Sequence, residues 1–180
     1  MRNANRGFRV RRSERGVTVL ESMLATAIAG VLTTAAVPHL TDAMTQQRLR
    51  AGSSDLFATF NLARSEAARR SISVAVIPAD AQNWSSGWKA FADRNDNGVL
   101  DADEETIVER PPVADGVRVQ PYFGATYSGQ VLSYAPSGRL HRPGGQGLVI
   151  GRLVLSQNGA VRSLCFASLG VRMVPAATCD

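Results

Sequence analysis

Three groups of residues in this chain of 180 have types and spacings that could do chemistry. The first is Asp93-x-Asn95-x-Asn97-Gly98 with Glu104 six residues after the glycine. This is the ligand order of a calcium loop, with oxygen donors at alternate positions, a glycine for the sharp turn and a closing carboxylate. Calcium is therefore a candidate cofactor at Asp93, Asn95, Asn97 and Glu104. The alternative is a plain acidic connector rich in Asn and Gly, because Gly87 to Ala92 just before it reads as a strand and no entering helix is evident. The second group is a set of arginines, Arg139, Arg142, Arg162 and Arg172, whose guanidinium groups could bind phosphate bidentately. The third is the pair Cys165 and Cys179, too few thiols for a cysteine-only zinc site. Two histidines, His39 and His141, leave little for histidine-based catalysis. No catalytic constellation emerges, so no enzyme is expected.

What must position these groups begins at the N-terminus. The chain carries a net charge of +5, but Arg2, Arg6, Arg9, Arg11, Arg12 and Arg15 lie in the first sixteen residues against Glu14 alone. From Val17 onward basic and acidic residues balance at 14 each. No charged side chain occurs between Ser22 and Thr41. Twenty helical residues span roughly 30 Å, the thickness of a bilayer core. With the basic flank held in the cytoplasm, the rest of the chain is expected on the other side of the membrane. A cleaved secretory signal peptide that releases a soluble protein is the competing reading. The apolar run exceeds the usual length of about 7 to 15 residues for such a peptide. Glu21 also needs a reason, because a carboxylate in a membrane helix costs at least about 2.5 kcal/mol.

The stretch Arg15-Gly16-Val17-Thr18-Val19-Leu20-Glu21 resembles the type IV prepilin signature, with a glycine at the cut and a glutamate five residues beyond it. The resemblance implies that a prepilin peptidase cleaves between Gly16 and Val17. It also implies that the new amine of Val17 is N-methylated and that the apolar helix is kept. Glu21 is then the assembly residue, paired with the fresh terminus of a neighbouring subunit. Val17 stands where that signature more often has Phe or Met.

Beyond the apolar run, Leu49, Ser53, Leu56, Phe60, Ala63 and Ala67 recur at alternating spacings of four and three, the stripe of a helix laid on a core. One helix is predicted over 17–70. Strands are predicted at 72–78, 87–92, 106–110, 117–123, 131–135, 148–156 and 160–166, with Asn158-Gly159 as a two-residue hairpin turn. Trp84 and Trp88 flank a Ser-Ser-Gly turn and read as core or turn cover, with a base or sugar contact as the alternative.

The segment Gly87-Trp88-Lys89-Ala90-Phe91-Ala92-Asp93 with the acidic turn after it, Ser137-Gly138-Arg139 and the late strand pair ending at Cys165 resemble the FimT/GspH family of minor pilins and pseudopilins. The fold implied is α+β, the type IV pilin fold: a long N-terminal helix, membrane-spanning in its first half, packed on an antiparallel β-rich head. The organisation expected is a cytoplasmic leader at 1–16 that is removed, a transmembrane and assembly helix at 17–40, its amphipathic half at 41–70 and a head at 71–180. The function implied is a structural and assembly subunit of a type IV pilus or a type II secretion pseudopilus. The expected location is the inner membrane, single-pass, with the head in the periplasm or on the surface of a pilus. Expected partners are the prepilin peptidase, the membrane and other pilins. FimT-type pilins also use a C-terminal Gly-Arg-x-Arg segment as a DNA contact. Here that stretch is Gly159-Ala160-Val161-Arg162, with one of the two arginines replaced.

Charge beyond the helix is segregated. Residues 80–109 carry a net charge of −6 and residues 111–180 a net charge of +4. The arginine-rich part therefore suits DNA as a further partner, and a DNA-binding pilus-tip receptor is the alternative main role. A solvated arginine face, or one complementary to the acidic patch of the next subunit, is the plain reading. In an oxidising compartment Cys165 and Cys179 are expected to form a disulfide that tethers the C-terminal tail. The alternative is one buried thiol and one frayed terminal cysteine.

Overall fold

The computed structural model describes residues 16–124, 127, 130–145, 147, 149–167 and 170–179, without the side chains of 33–39. The leader up to residue 15 lies outside the described residues. The chain divides into two compact units, Met1–Thr41 and Asp42–Asp180. A single element order runs through them, starting with α1 at Val19–Arg70.

In the first unit Gly16, Val17 and Thr18 precede the helix in non-helical backbone, so α1 starts two residues later than predicted. The reason is a cap. The Glu21 backbone N–H donates to Thr18 Oγ1 at 3.3 Å, and the Ser22 N–H donates to the Thr18 carbonyl at 3.1 Å. Thr18 and Glu21 thus hold the N-cap and third positions of a capping-box sequence. Further along, Ser22 Oγ donates to the Val19 carbonyl and Thr26 Oγ1 to the carbonyls of Ser22 and Met23. The hydroxyls are satisfied within the helix itself, which suits an apolar surrounding. Val17, Val19, Leu20, Met23, Leu24, Ile28, Val31 and Leu32 are all exposed, Leu20 at 78%. The membrane span expected over 17–40 includes the undescribed side chains of 33–39. Among the described residues no helix is long and apolar enough to cross a membrane.

The second unit is built on the predicted stripe. Leu49, Ser53, Leu56, Phe60, Ala63 and Ala67 are buried along the last part of α1. After Ser71, in left-handed backbone, come β1 (Ser73–Asp80), β2 (Asn83–Asp93), β3 (Thr106–Arg110), β4 (Arg118–Phe123), β5 (Leu132–Tyr134), β6 (Leu140–His141), β7 (Gly151–Gln157), β8 (Ala160–Ala167) and β9 (Gly170–Val174). They form two antiparallel sheets, ordered β3-β2-β1-β5-β6 and β4-β7-β8-β9. Alternation places Val74, Val76, Trp84, Trp88 and Ala90 of the first sheet, and Val119, Leu153, Leu155, Leu164 and Phe166 of the second, in one core with the helix stripe. Phe60 joins the two sheets, with its ring 6.2 Å from Trp84 and 4.8 Å from Phe166. Both tryptophans are core, and Trp88 Nε1 donates to Thr59 Oγ1 at 3.0 Å in the interior. Asn158 and Gly159 both have positive φ between paired Gln157 and Ala160, the mirror-image turn that a two-residue hairpin requires.

Two differences from the predicted strands have physical causes. β2 begins at Asn83, not Gly87, because Asp80 pairs with Asn83 around a tight turn at Gln82. Ser85, read as turn, instead links the sheets: its hydroxyl accepts the Val119 N–H and its carbonyl the Val113 N–H. β6 and β9 are short edge strands that pairing alone creates, and no periodicity announced them.

Candidate functional site

The glutamate predicted for assembly lies in the first turn of α1, followed by the apolar stretch described above. Gly16 and Val17, the residues of the expected cut, stand immediately before the Thr18 cap in non-helical backbone.

The loop between β2 and β3 closes on itself. Asp93 is fully buried, and its two carboxylate oxygens accept the N–H groups of Asn97 at 3.0 Å and Gly98 at 2.8 Å. Burial pushes the Asp93 carboxyl above its ordinary range, and those two N–H donors work against the shift. Asn97 Oδ1 accepts the Val99 N–H, while the Asn95 and Asn97 amides donate to Asp101 Oδ2 at 2.8 and 3.0 Å. Glu104 accepts the N–H groups of Arg94 and Asp101. Each of the four residues named as calcium ligands thus already serves the loop's own backbone or side chains. Among the described residues no three His, Cys, Asp or Glu side chains group as a metal site. Gly98 is held at positive φ, and a β-carbon there would stand 2.9 Å from Pro143, so this turn is pressed against the later Gly-rich segment. Asp96 fastens that contact by meeting His141 Nε2 at 2.8 Å and accepting the Gly144 N–H. Sequence reasoning set His141 aside and missed this bridge, which joins residues far apart in the chain.

Glu66, Glu105 and Glu109 are also engaged. Glu66 holds Arg69 and Arg70, Glu105 holds Arg70 at 2.6 Å, and Glu109 holds Lys89 at 3.1 Å. Hydrogen bonds from those guanidinium groups hold the Glu66 and Glu105 carboxyls below the ordinary range.

The four named arginines stand on different elements. Arg139 is exposed in the turn between β5 and β6. Arg142 stacks on the Tyr127 ring at 5.0 Å. Arg162 lies on β8 opposite Leu155. Arg172 on β9 donates to the Cys179 carbonyl. Arg152, not singled out in the sequence, stacks on the exposed Tyr122 at 5.0 Å. Cys165 and Cys179 are joined in a disulfide with Cα atoms 5.8 Å apart, and Ser163 Oγ donates to the Ala176 carbonyl, so the tail lies along β8.

Residues 53–170 match the family model of GspH, a type II transport protein. The chain belongs to the GspH family. No curated relative matches this GspH-family chain. Two crystal forms of the type IV minor pilin FimU of Pseudomonas aeruginosa strain PAO1 share its fold. One is 18% identical over 72% of this chain and 90% of that chain, with a TM-score of 0.54. The other is 17% identical over 71% and 93%, with a TM-score of 0.52. The architecture is therefore the type IV pilin fold, and the GspH-family chain is a minor pilin or pseudopilin, a structural subunit and not an enzyme. The matched span takes in the helix stripe from Ser53, the acidic loop, the first sheet and the second sheet except β9, of which it reaches only Gly170. Glu21 and Cys179 lie outside it.

Proposed function

We propose that this chain is a membrane-anchored filament subunit made as a prepilin. Prepilin peptidase cuts between Gly16 and Val17 on the cytoplasmic face, Val17 becomes N-methylated, and the apolar helix stays as an inner-membrane anchor with the head in the periplasm. Glu21 then meets the new amine of a neighbouring subunit as helices leave the lipid for the filament core. One observation supports this above the rest. A capped helix exposes Val19, Leu20, Met23, Leu24, Ile28, Val31 and Leu32, with Glu21 as the lone carboxylate in that stretch, and such a surface needs lipid or other helices around it. Sequencing the mature N-terminus tests the reading. Val17 is the expected first residue, whereas Val37 would indicate a cleaved signal peptide and a soluble periplasmic protein. Glu21→Ala should abolish incorporation into the filament while leaving membrane insertion intact. Deleting the gene and scoring surface pili against protein secretion assigns the filament to a type IV pilus or a type II secretion pseudopilus.

DNA capture is a second reading, supported by Arg118, Arg139 and Arg162, for which no ion pair is seen among the described residues. It predicts that the protein retards DNA with an affinity that falls as salt rises. Unchanged retardation after these arginines become alanine would remove it. The oxygens named for calcium at the Asp93 loop already accept hydrogen bonds from the loop itself, and titration to millimolar calcium is expected to give no heat.

A further inference from the structure

Two Asn-Gly steps occur in the chain, Asn97-Gly98 and Asn158-Gly159. Such a step has a chemistry of its own: the glycine backbone nitrogen can attack the asparagine side-chain amide, because no β-carbon on the glycine crowds the approach. Asn61, Asn83 and Asn95 are followed by Leu62, Trp84 and Asp96, whose side chains do crowd it. The fold separates the two Asn-Gly steps. Asn97 is tied at both atoms of its amide, with Oδ1 accepting the Val99 N–H at 2.7 Å and Nδ2 donating to Asp101 Oδ2 at 3.0 Å. The Gly98 N–H donates to the buried Asp93 carboxylate at 2.8 Å, and a β-carbon at Gly98 would stand 2.9 Å from Pro143 and 3.2 Å from Val131. Loss of that proton would set a second negative charge beside the carboxylate, and the close packing resists rotation of the peptide. At the hairpin tip the opposite holds. Asn158 and Gly159 are exposed, with φ of 50° and 80°, and a β-carbon at Gly159 would meet nothing within 4 Å. Gly159 lies outside the paired residues, and among the described residues its N–H meets no acceptor. Asn158 keeps one side-chain contact, with Nδ2 donating to Thr45 Oγ1 of α1 at 3.4 Å.

We propose that Asn158 is a site of spontaneous deamidation that loosens the β7-β8 hairpin and its tie to α1, while Asn97 is shielded. Turning the Asn158-Gly159 peptide plane carries a I′ turn to a II′ turn without unpairing Gln157 and Ala160, and glycine accepts either sign of φ. The turned plane brings the Gly159 nitrogen towards the Asn158 side chain. That nitrogen gives its proton to a solvent base and bonds to Asn158 Cγ. The bond from Cγ to Nδ2 breaks, ammonia leaves, and a cyclic imide remains. Solvent water then adds to the imide. Opening at the new bond to Cγ leaves aspartate, and opening at the original peptide bond leaves isoaspartate, with the main chain routed through the former side chain. Nothing is oxidised or reduced: an amide and water become an acid and ammonia. Either product puts a carboxylate where an amide donor met Thr45. Isoaspartate also adds a carbon to the backbone of a turn whose geometry is set by two residues.

The test incubates the full chain in detergent micelles at mildly alkaline pH and follows each asparagine by peptide mapping and mass spectrometry, with isoaspartate told from aspartate by fragmentation. Asn158 should convert at least about tenfold faster than Asn97, since the hydrogen bonds that hold Asn97 and Gly98 must open first. In concentrated urea the two rates should converge, because the difference belongs to the fold. Hydrogen exchange at the Gln157 and Ala160 amides should be faster in the converted protein than in the fresh one. Equal rates in the folded chain, or Asn97 converting first, overturn the proposal. A difference that persists in urea also overturns it, by assigning the effect to neighbouring residues in the chain. Unchanged exchange after conversion denies the loosening of the hairpin.

Discussion

The connector between β2 and β3 and the strands of the second sheet carry opposite charge, and the fold treats the two charges differently. In the connector nearly every carboxylate has a donor from its own chain: Asp93 from Asn97 and Gly98, Asp96 from His141 and Gly144, Glu104 from Arg94 and Asp101. On the strand side Arg118 and Arg162 have no ion pair among the described residues, and Arg152 rests on a tyrosine. A carboxylate is acceptor-only, so a loop rich in backbone N–H groups can absorb it. A guanidinium offers five donors and finds fewer acceptors along a paired strand, where the carbonyls already serve the ladder. Net charge per segment therefore does not tell engaged charge from unpaired charge; the partners that the fold supplies do.

The largest effect expected from breaking this comparison comes where the two regions share a core. Phe60→Ala should cost about 4 kcal/mol in chemical denaturation and unfold both sheets in one transition, because the ring touches Trp84 and Phe166 together. Separate transitions would show that the sheets are independent. Asp93→Ala comes next at about 3 kcal/mol, since it strands two N–H groups around a buried site. Arg118→Ala and Arg162→Ala should each stay within about 0.5 kcal/mol. A large loss there would mean that those arginines serve the fold after all. Replacing Cys165 and Cys179 with serine should cost roughly 3 kcal/mol on the chain-entropy account, with mass spectrometry confirming the absence of the crosslink.

The smallest effect is in pH. Glu66 and Glu105 have depressed pKa values, so the stability they contribute is present above the usual 4.5 and is lost as pH falls through the lowered values. Asp93 has a raised pKa and acts in the other direction: its ionisation penalty disappears as pH falls through the raised value toward the usual 3.8. Denaturation midpoints measured across the acid range should therefore fall less steeply in Glu105→Gln than in the parent chain. An unchanged slope would deny Glu105 that part.

Much of the fold was legible because local signals agreed. The helix stripe from Leu49 to Ala67 was legible from spacings of three and four, since a buried face must repeat with the helical turn. The Asn158-Gly159 hairpin was legible from two residues that tolerate positive φ. The site was less so. The calcium-like order Asp93, Asn95, Asn97 and Glu104 looked the same in sequence as the self-closed turn observed, because the formula lists oxygen atoms and not what already donates to them. The steps Asn97-Gly98 and Asn158-Gly159 carry the same residues in sequence. Only the Asp93 carboxylate and Pro143, closing on Gly98, set them apart.

What the sequence determined by itself is everything set by period and by side-chain type: an amphipathic helix half, alternating strands and a charge-segregated head. The tertiary structure alone decided which acids were satisfied, how Asp96 met His141, where β6 and β9 formed at the sheet edges and which arginines had no ion pair. Hydrogen bonds and ion pairs depend on distances of a few ångströms between residues far apart in the chain. Local patterning does not encode those distances, and packing does.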